Sequence, residues 1–310
     1  MRSFLRETDF SYDEAKEVFK IANRYKKIRP AGRLDVLKDE SWGLIFFKKS
    51  TRTRLSFQTG VYELGANPMV LEANDLQISR GETIEDTAKV MGRYLHGLVI
   101  RAYEHSVVEE FKKYSNLPVV NALTDDLHPC QSYTDIFTMM EYFGKGEPTL
   151  EAIKGKKFVF YGDTACNMAY SLALAGGMFG LEVVLSGPEE FKPCAKLDQF
   201  FKDANLTPTW TFEPDPKKAA KGADVLYTDV WVSMGKEDEK AQRLKTMAPY
   251  QVNSELFKLA NDGAIFMHCL PAHAGEEVSR EVLESKRAII FDEAENRLHV
   301  QKAIITGLKF

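Results

Sequence analysis

The sequence predicts an α/β protein of two domains, each a parallel β-sheet flanked by helices. Short apolar segments alternate with amphipathic segments of helical period along the whole chain, which is the pattern of strand–helix–strand units. The 310 residues are enough for two ordinary domains with separate cores. A glycine- and lysine-rich stretch, Glu141–Lys157, divides the predicted strands into four before it and five after it. We therefore place the domains at residues 1–145 and 146–291, and expect the C-terminal helix, residues 292–310, to pack back on the first.

The individual elements follow from short apolar runs and from helical periodicity. In chain order the predicted strands are Trp42–Phe46, Met69–Glu72, Gly97–Arg101, Pro118–Ala122, Lys157–Tyr161, Glu182–Ser186, Asp224–Thr228, Ala264–His268 and Ala288–Phe291. The predicted helices include Ser11–Lys27, Thr83–Tyr94, Tyr133–Phe143, Asn167–Phe179, Glu276–Lys286 and Glu293–Leu308. In open α/β sheets ligands bind beyond the carboxyl ends of the strands, so the residues after each strand are the candidates for function.

Composition and charge exclude several classes of protein. A net charge of −4 leaves no broad basic face for a nucleic acid. The longest apolar stretch, Met168–Leu181, is too short to span a bilayer and contains three glycines. The four cysteines have neither CxxC nor zinc-ligand spacing, which suits free thiols in a reducing compartment. The N-terminus turns charged at once, unlike a signal peptide, so we predict a cytoplasmic or organelle-matrix protein without nucleic-acid or membrane partners.

The first candidate site is the stretch FKKSTRTRLSF, Phe47–Phe57, which follows the first predicted strand and contains no acid. Ser50 suits the N-cap of the helix that follows. A helix N-terminus offers free N–H groups and the positive end of the dipole, and hydroxyls with a guanidinium complete a cradle for phosphate oxygens. The alternative is a solvated basic first turn. Basic residues at a helix start oppose the dipole, however, so we favour an anion site.

Other candidates stand after later strands. Arg101 closes the apolar run GLVIR, and it is either an ordinary strand end or a second ligand for the same anion. His128 and Gln131, in HPCQ, come at a helix start after the fourth strand, with Pro129 in the first turn. The imidazole could polarise a carbonyl and the amide could bind a carbonyl or an NH₂ group. A structural histidine is the alternative.

The second half offers acceptors and a thiol. Thr164 stands where the second glycine of a dinucleotide fingerprint belongs, which argues against NAD and leaves Asn167 free for another ligand. Asp229 ends a predicted strand and is either an amine ligand or a turn residue. Cys269 follows His268, and the pair indicates either thiol chemistry or a buried structural cysteine. Arg297 lies early in the last helix.

Five motifs in this order resemble those of the carbamoyltransferase family, most closely its ornithine-specific members. They are STRTR, HPCQ, DVWVSMGKEDE, HCLP and EAENRLHVQKA, and they run from residue 50 to near the C-terminus. STRTR and HPCQ point to the wider family, whereas SMG and HCLP point to ornithine. The resemblance implies transfer of a carbamoyl group from carbamoyl phosphate to the δ-amino group of ornithine, either in arginine biosynthesis or in the degradation of citrulline. It implies no metal and no cofactor.

The resemblance also assigns roles to residues. The residues that it implies bind carbamoyl phosphate are Ser50, Thr51, Arg52, Thr53, Gln77, Arg101, His128, Gln131, Leu270 through its carbonyl, and Arg297. The residues that it implies bind ornithine are Asn167, Asp229, Ser233, Met234 and Cys269. The residues expected to act in catalysis are Arg52, Arg101, His128, Cys269 and Arg297, with Cys269 as a positioning group rather than a covalent nucleophile.

The resemblance implies a homotrimer, or a multiple of trimers, with shared active sites. The polar stretch Asn74–Thr87 resembles the family's loop that enters a neighbouring subunit, and it contains Gln77. A solvated surface loop is the alternative.

Three positions depart from the family pattern, namely Phe47, Cys166 and Ala274. Of these, Phe47 and Ala274 bear on the acceptor. A carbamoyltransferase for putrescine or an N-acylated ornithine therefore remains an alternative, as does a non-catalytic paralogue.

Overall fold

The structure, a computed structural model, describes residues 2–29, 32–232 and 239–310. It splits into two compact units, one formed by Met1–Phe137 with Glu295–Phe310 and the other by Thr138–Ala294. Each unit contains a sheet of parallel strands, so the predicted fold class is confirmed. In the described part of the chain, no helix has both the length and the apolar character needed to cross a membrane.

The elements of the described residues are as follows. The strands are β1 Ser41–Phe46, β2 Asn67–Glu72, β3 Gly97–Arg101, β4 Val119–Leu123, β5 Lys157–Tyr161, β6 Glu182–Ser186, β7 Trp210–Phe212, β8 Val225–Thr228 and β9 Ile265–Met267. The α-helices are α1 Tyr12–Ile28, α2 Thr51–Glu63, α3 Ile84–Tyr94, α4 His105–Ser115, α5 Pro129–Phe143, α6 Asn167–Phe179, α7 Ala195–Asp203, α8 Pro216–Ala220, α9 Lys240–Met247, α10 Ser254–Phe257, α11 Arg280–Leu283 and α12 Ile290–Gly307.

In the first unit the strand order is β2-β1-β3-β4. The chain leaves β1 toward β2 on one side and later returns to β3 on the other, so the direction of winding changes between β1 and β3. Such a reversal opens a crevice at the carboxyl ends of the two strands. Strands β1 and β3 are nearly continuous apolar runs because helices cover the faces of a parallel sheet.

The helices of the first unit pack closely. Buried side chains of β3 and β4, such as Ile100 and Val119, share a core cluster with Phe111 of α4. A Cβ atom on Gly92 of α3 would lie 2.2 Å from the carbonyl oxygen of Ser115, so only glycine permits this approach.

The end of α12 completes the first unit. Tyr25 of α1 hydrogen-bonds with Thr306 (2.9 Å), and Lys26 donates to Asn296 (2.8 Å). On α2, a Cβ atom added to Gly60 would lie 3.1 Å from Lys302, which shows how closely the two helices approach.

In the second unit the strand order is β7-β6-β5-β8-β9. The direction of winding reverses between β5 and β8, so the crevice of this sheet lies beyond the ends of those two strands. A core cluster of this unit gathers buried residues of β5, β8 and β9 with residues that precede α12. Each unit thus has its own crevice, beyond β1 and β3 in the first and beyond β5 and β8 in the second.

Most predicted strands are correct to within one or two residues, but one is wrong and one was missed. Ala288–Phe291 is not a strand. It makes a single bridge, between Ala288 and Phe266, and α12 begins at Ile290. Strand β7 was missed because its three residues are too few for an apolar alternation. The predicted helix Glu276–Lys286 is reduced to α11, since Glu276 and Glu277 lie in a turn.

His299 on α12 is fully buried, and neither ring nitrogen has a hydrogen-bond partner among the described residues. Burial and then the charges of Lys302, Lys26 and Arg29 lower its pKa from 6.5 to about 3. The carboxylate of Glu295 lies 3.6 Å from Nε2. The ring is therefore neutral in the folded protein at pH 7.

We expect this histidine to make folding less favourable in acid. The unfolded chain binds the proton below pH 6.5 and the folded chain does not, so acidification favours unfolding. At pH 5 the effect is about 2 kcal/mol, from roughly 1.4 kcal/mol per pH unit. Urea denaturation at pH 7 and pH 5, at one protein concentration, measures it in wild type and in His299→Leu. The free energy of unfolding should fall less in the variant; an equal fall in both would contradict the assignment.

Candidate active site

In the first unit, the winding reversal brings the start of α2 beside the end of β3. Phe46 pairs with Arg101 across the sheet, and the Phe47 amide donates to the Arg101 carbonyl at 2.9 Å. Ser50 caps α2 by accepting from the Thr53 amide at 3.2 Å, as the sequence predicts. The first N–H groups of a helix have no partner within it, so this turn presents backbone donors as well as its side chains.

Thr53 is the point where two buried cations meet. Its hydroxyl oxygen accepts from Arg101 Nη1 at 3.4 Å and from Arg297 Nη2 at 3.1 Å. All three side chains are at least nine-tenths buried. Like charges this close repel each other in a poorly solvated place, so an anion beside them would be strongly favoured.

The outer side of Arg297 is held by α12 itself. In the amide orientation that satisfies both groups, Gln301 accepts from Arg297 at 3.1 and 3.2 Å and donates to Ser56 at 2.7 Å. The guanidinium is therefore fixed in position before any ligand binds. Fixed donors of this kind lose little entropy when an anion arrives.

Among the other basic residues in and beside STRTR, some have a carboxylate partner within the described part of the chain and Arg52 does not. Arg54 pairs with Glu72 at 2.9 Å, and buried Lys48 pairs with Asp125 while lying 4.3 Å from the Tyr103 ring. These two cations are neutralised within the chain. Arg52 is partly exposed and forms no hydrogen bond or ion pair through its side chain among the described residues, so its guanidinium is available.

His128 and Gln131 stand at the start of α5. The Gln131 amide nitrogen donates to Asp135 at 2.8 Å, which fixes the amide so that its oxygen faces the other way. That end accepts hydrogen bonds, as an NH₂ group requires. Burial, followed by the charges of Arg297 and Arg101, holds the pKa of His128 well below its usual value. His128 is therefore a neutral hydrogen-bonding group rather than a proton donor of ordinary acidity.

Gln77 is exposed at the start of a 3₁₀-helix, Gln77–Arg80. Among the described residues, no hydrogen bond or ion pair joins its side chain to Arg52, Thr53 or Arg101. Within one chain it is thus a surface residue.

In the second unit, the ends of β8 and β9 bring Asp229 and Cys269 together. The Cys269 thiol donates to Asp229 Oδ1 at 3.1 Å, and the Val230 amide donates to the same oxygen at 2.7 Å. A thiol that donates to a carboxylate is protonated, which suits a positioning group better than a nucleophile. One side chain predicted to bind the acceptor thus orients another.

The loop after β9 is shaped by His268. Leu270, the residue whose carbonyl was predicted to bind the carbamoyl NH₂, has a positive φ of 61° and precedes a cis proline. Its amide donates to His268 Nδ1 at 2.8 Å, and Nε2 of the same ring lies 3.3 Å from Glu277 Oε1. Glu293 accepts from the His268 amide at 2.9 Å.

Sequence reasoning missed Glu277 and Glu293, which are both fully buried. They stand in GEEV and FDEAEN, runs that look like solvated surface acids. Only their spacing from HCLP and from the last helix could have drawn attention to them, and that signal is weak.

Asn167 is the first residue of α6, directly beyond β5. Cys166 before it caps the helix without a side-chain hydrogen bond. Burial, with the charges of Asp163 and Asp229, raises the pKa of the Cys166 thiol well above its usual value, which disfavours the thiolate. Ser233 and Met234 lie outside the described residues.

Two groups of side chains bring potential metal ligands together in the described part of the second unit. The ligand atoms of Asp229, His268 and Cys269 lie within 4.8 Å of one another, as do those of His273, Glu276 and Glu277. The first set includes a thiol and an imidazole, which suit a softer divalent cation, and the second has one imidazole and two carboxylates.

On parallel sheets with reversed winding, the first unit thus gathers two cations around Thr53 at the start of a capped helix, and the second gathers a carboxylate and a thiol beyond β8 and β9. Two family models match the chain. The carbamoyl-phosphate-binding domain of aspartate/ornithine carbamoyltransferase matches residues 2–141, and the aspartate/ornithine-binding domain matches residues 154–308. The chain belongs to the aspartate/ornithine carbamoyltransferase family.

Individual relatives point to the ornithine branch. The chain is 44% identical to the ornithine carbamoyltransferase of Archaeoglobus fulgidus, over 99% of this chain and 97% of that protein. The solved ornithine carbamoyltransferase of Pyrococcus furiosus is 41% identical with a TM-score of 0.89, covering 98% of this chain and 96% of that one. The anabolic ornithine carbamoyltransferase of Campylobacter jejuni is 36% identical with a TM-score of 0.90, covering 100% and 99%.

The environment of His128 generates a spectroscopic prediction. Because burial and two guanidinium groups disfavour its charged form, the ring should stay neutral as the pH falls from 8 to 5.5. In a sample with ¹⁵N-labelled histidine, the signals missing from His128→Gln identify this ring. Its nitrogen shifts should stay those of a neutral imidazole, and a titration midpoint near 6.5 would show that the site does not suppress the charge.

Proposed function

We propose that this chain transfers the carbamoyl group of carbamoyl phosphate to the δ-amino group of L-ornithine, giving L-citrulline and phosphate. The observation that carries the proposal is the meeting of Arg101 and Arg297 at the Thr53 hydroxyl, at the start of a capped helix. A doubly charged phosphate group matches that cluster of donors. The family match and the ornithine-specific relatives support the choice of both substrates.

Carbamoyl phosphate is assigned to the first unit. The phosphate would accept from the side chains and first-turn amides of Ser50, Thr51, Arg52 and Thr53, and from Arg101. His128 and Arg297 would donate to the carbamoyl oxygen. The fixed Gln131 oxygen and the Leu270 carbonyl would accept from the carbamoyl NH₂ group, and its amide orientation supports that role for Gln131.

Ornithine is assigned to the second unit. Asp229 supplies a negative group for the α-amino group, and Asn167, Ser233 and Met234 complete the contacts with the amino-acid end. Cys269 lies near the δ-amino group in this assignment. The hydrogen bond from its thiol to Asp229 supports a role in orientation.

The reaction is an addition followed by an elimination. The neutral δ-amine forms a bond to the carbamoyl carbon, and negative charge develops on the carbamoyl oxygen. Collapse then breaks the carbon–oxygen bond to phosphate, and the proton lost from nitrogen balances the departure of HPO₄²⁻. Arg52, Thr53, Arg101, His128 and Arg297 would stabilise the developing charge, and the hydrogen bonds at Thr53 already orient Arg101 and Arg297. Holding the two substrates in register lowers the remaining barrier.

We further propose the domain bounds 1–145 for carbamoyl phosphate, with residues 292–310 added, and 146–291 for ornithine. The family models that end at residue 141 and begin at residue 154 support a division in this region. We also propose a cytoplasmic enzyme of arginine biosynthesis. The similarity to an anabolic relative favours the biosynthetic direction.

Finally, we propose a homotrimer, or a multiple of trimers, with shared active sites. Gln77 is exposed, and among the described residues its side chain forms no hydrogen bond or ion pair with Arg52, Thr53 or Arg101, which supports a role for it in a neighbouring subunit. In a cyclic assembly each subunit can complete the site of the next.

The direct test is product formation. The protein should form citrulline from carbamoyl phosphate and ornithine, and much less product from putrescine or N-acetylornithine at equal concentrations. Those two acceptors lack the α-carboxylate or the free α-amino group that the second unit is proposed to bind. A faster reaction with putrescine or N-acetylornithine would identify that amine, and not ornithine, as the preferred acceptor. No reaction with any amine would contradict the proposal.

Arg52→Ala should weaken carbamoyl phosphate binding by about 10²-fold or more, since a charge-assisted pair to phosphate is lost. Arg54→Ala is a matched control, because Arg54 lies two residues further along the same helix and already pairs with Glu72. Calorimetry with carbamoyl phosphate measures both affinities, and circular dichroism checks folding. Equal affinities of the two variants would remove Arg52 from the phosphate site.

Mixed trimers test the shared site. Gln77→Ala and His128→Ala should each be nearly inactive alone. When the two variants are refolded together in equal amounts, about a quarter of the sites combine an intact Gln77 with an intact His128 from different chains. Activity should recover accordingly, whereas each variant refolded with itself serves as control. Verified mixed trimers without recovery would mean that each site is built within one chain.

A further inference from the structure

Arg243 on α9 is a buried cation that none of the roles above uses. Its side chain is 4% exposed. Nε donates to the Trp231 carbonyl at 2.6 Å, Nη2 pairs with the Asp163 carboxylate, and Nη1 reaches Glu239 at 3.4 Å. Its guanidinium carbon also lies 4.7 Å from the centre of the Phe191 ring.

The partners of Arg243 belong to the two segments that carry the proposed acceptor residues. Asp163 lies in the turn between β5 and α6, four positions before Asn167. Trp231 follows β8, two positions after Asp229. One guanidinium thus joins the segment after β5 to the segment after β8, and these are the strands at which the sheet reverses its winding.

Both oxygens of Asp163 are used in this connection. Oδ1 accepts from the Ala165 amide at 3.1 Å, which fixes the turn that leads into α6, and Oδ2 accepts from Arg243. The Trp231 ring also packs on Gly162, where a Cβ atom would lie 3.0 Å from the indole nitrogen. The two segments are therefore held by a charge pair, a backbone hydrogen bond and a close packing contact.

Stability alone does not explain a charge buried here. The desolvation of an arginine and a carboxylate roughly cancels their attraction, and apolar residues of similar size often stabilise a fold as well or better. What a forked guanidinium adds is direction, because it holds two acceptors at a set distance and angle. That property matters where two segments must keep a fixed separation.

We propose that Arg243 is a positioning residue for the amino-acid end of the acceptor, and that it thereby sets acceptor specificity. It holds the Asn167 and Asp229 segments at the separation that an α-amino acid spans. The inference rests on the proposed function, since it concerns the same acceptor site. It assigns no contact between Arg243 and the substrate.

Kinetics with two variants of Arg243 test this role. Arg243→Met should raise the ornithine KM about 10- to 100-fold, the effect expected when a binding geometry is lost, and leave the carbamoyl phosphate KM within about twofold. The ratio of kcat/KM for ornithine to that for putrescine should fall by about the same factor, since putrescine has no α-carboxylate. Arg243→Lys keeps the charge beside Asp163 but loses the fork, so its KM should lie between those of wild type and Arg243→Met.

The double variant Arg243→Met with Asp163→Asn separates positioning from folding. Removing both charges should restore thermal stability relative to Arg243→Met alone, because no uncompensated carboxylate remains buried. The ornithine KM should stay raised all the same. Arg280→Met is the matched control, since Arg280 belongs to the same unit, is 75% exposed and pairs only with Glu284 in the described structure.

The outcomes are distinct. An unchanged ornithine KM in Arg243→Met, or a KM that returns to normal when stability does, would overturn the positioning role. A uniform loss of kcat with both acceptors would do the same. If wild-type protein forms no citrulline, the proposed function fails and not this inference alone; if wild type is active and the KM values do not separate, only this inference fails.

Discussion

The architecture of the first unit depends on a conflict of charge that the fold itself creates. Arg101 arrives from the end of β3 and Arg297 from α12, and both donate to the single hydroxyl of Thr53. In a buried place two guanidinium groups so close are unfavourable unless an anion or a dipole compensates them. The cap at Ser50, the helix dipole of α2 and the amide of Gln301 all act to keep this cluster in place. Burial, and then the same two charges, lower the pKa of His128 and keep its ring neutral.

Each unit also contains an ion pair with a buried cation that joins loops at the ends of its strands. In the first unit Lys48 pairs with Asp125 and thereby links the segment after β1 to the segment after β4. In the second, Arg243 and Asp163 link the segments after β8 and β5. Loops at the carboxyl ends of a parallel sheet have few ladder hydrogen bonds of their own, so side-chain pairs fix their geometry. In both units, the positions of the candidate site residues thus depend on ion pairs formed by other residues of the same loops.

The sequence predicted the parts of this protein that local physics determines. Strands β3, β5 and β6 were predicted to the residue, because a central parallel strand is a short apolar run with clear ends. The cap at Ser50 was also predicted, since hydroxyls favour that position. The predictions that failed concern residues whose structure depends on tertiary contacts. Ala288–Phe291 is as apolar as a strand, yet packing in the second core makes its end the start of α12. Glu277 and Glu293 could not be foreseen as buried, because the pairing that makes a buried acid tolerable appears only in three dimensions.

The path of α12 sets an order in which the protein can be completed during synthesis. Tyr25 and its partner Thr306 are 281 positions apart, and α1, α2 and α12 pack together in the first unit. The second unit is one continuous stretch of chain, Thr138–Ala294, and it contains all of its own sheet. A ribosome that synthesises the chain from its N-terminus therefore delivers every residue of the second unit before residues 295–310 of the first. The unit whose translation begins first is completed last, and until α12 has been synthesised the helices α1 and α2 expose the apolar surface that α12 covers.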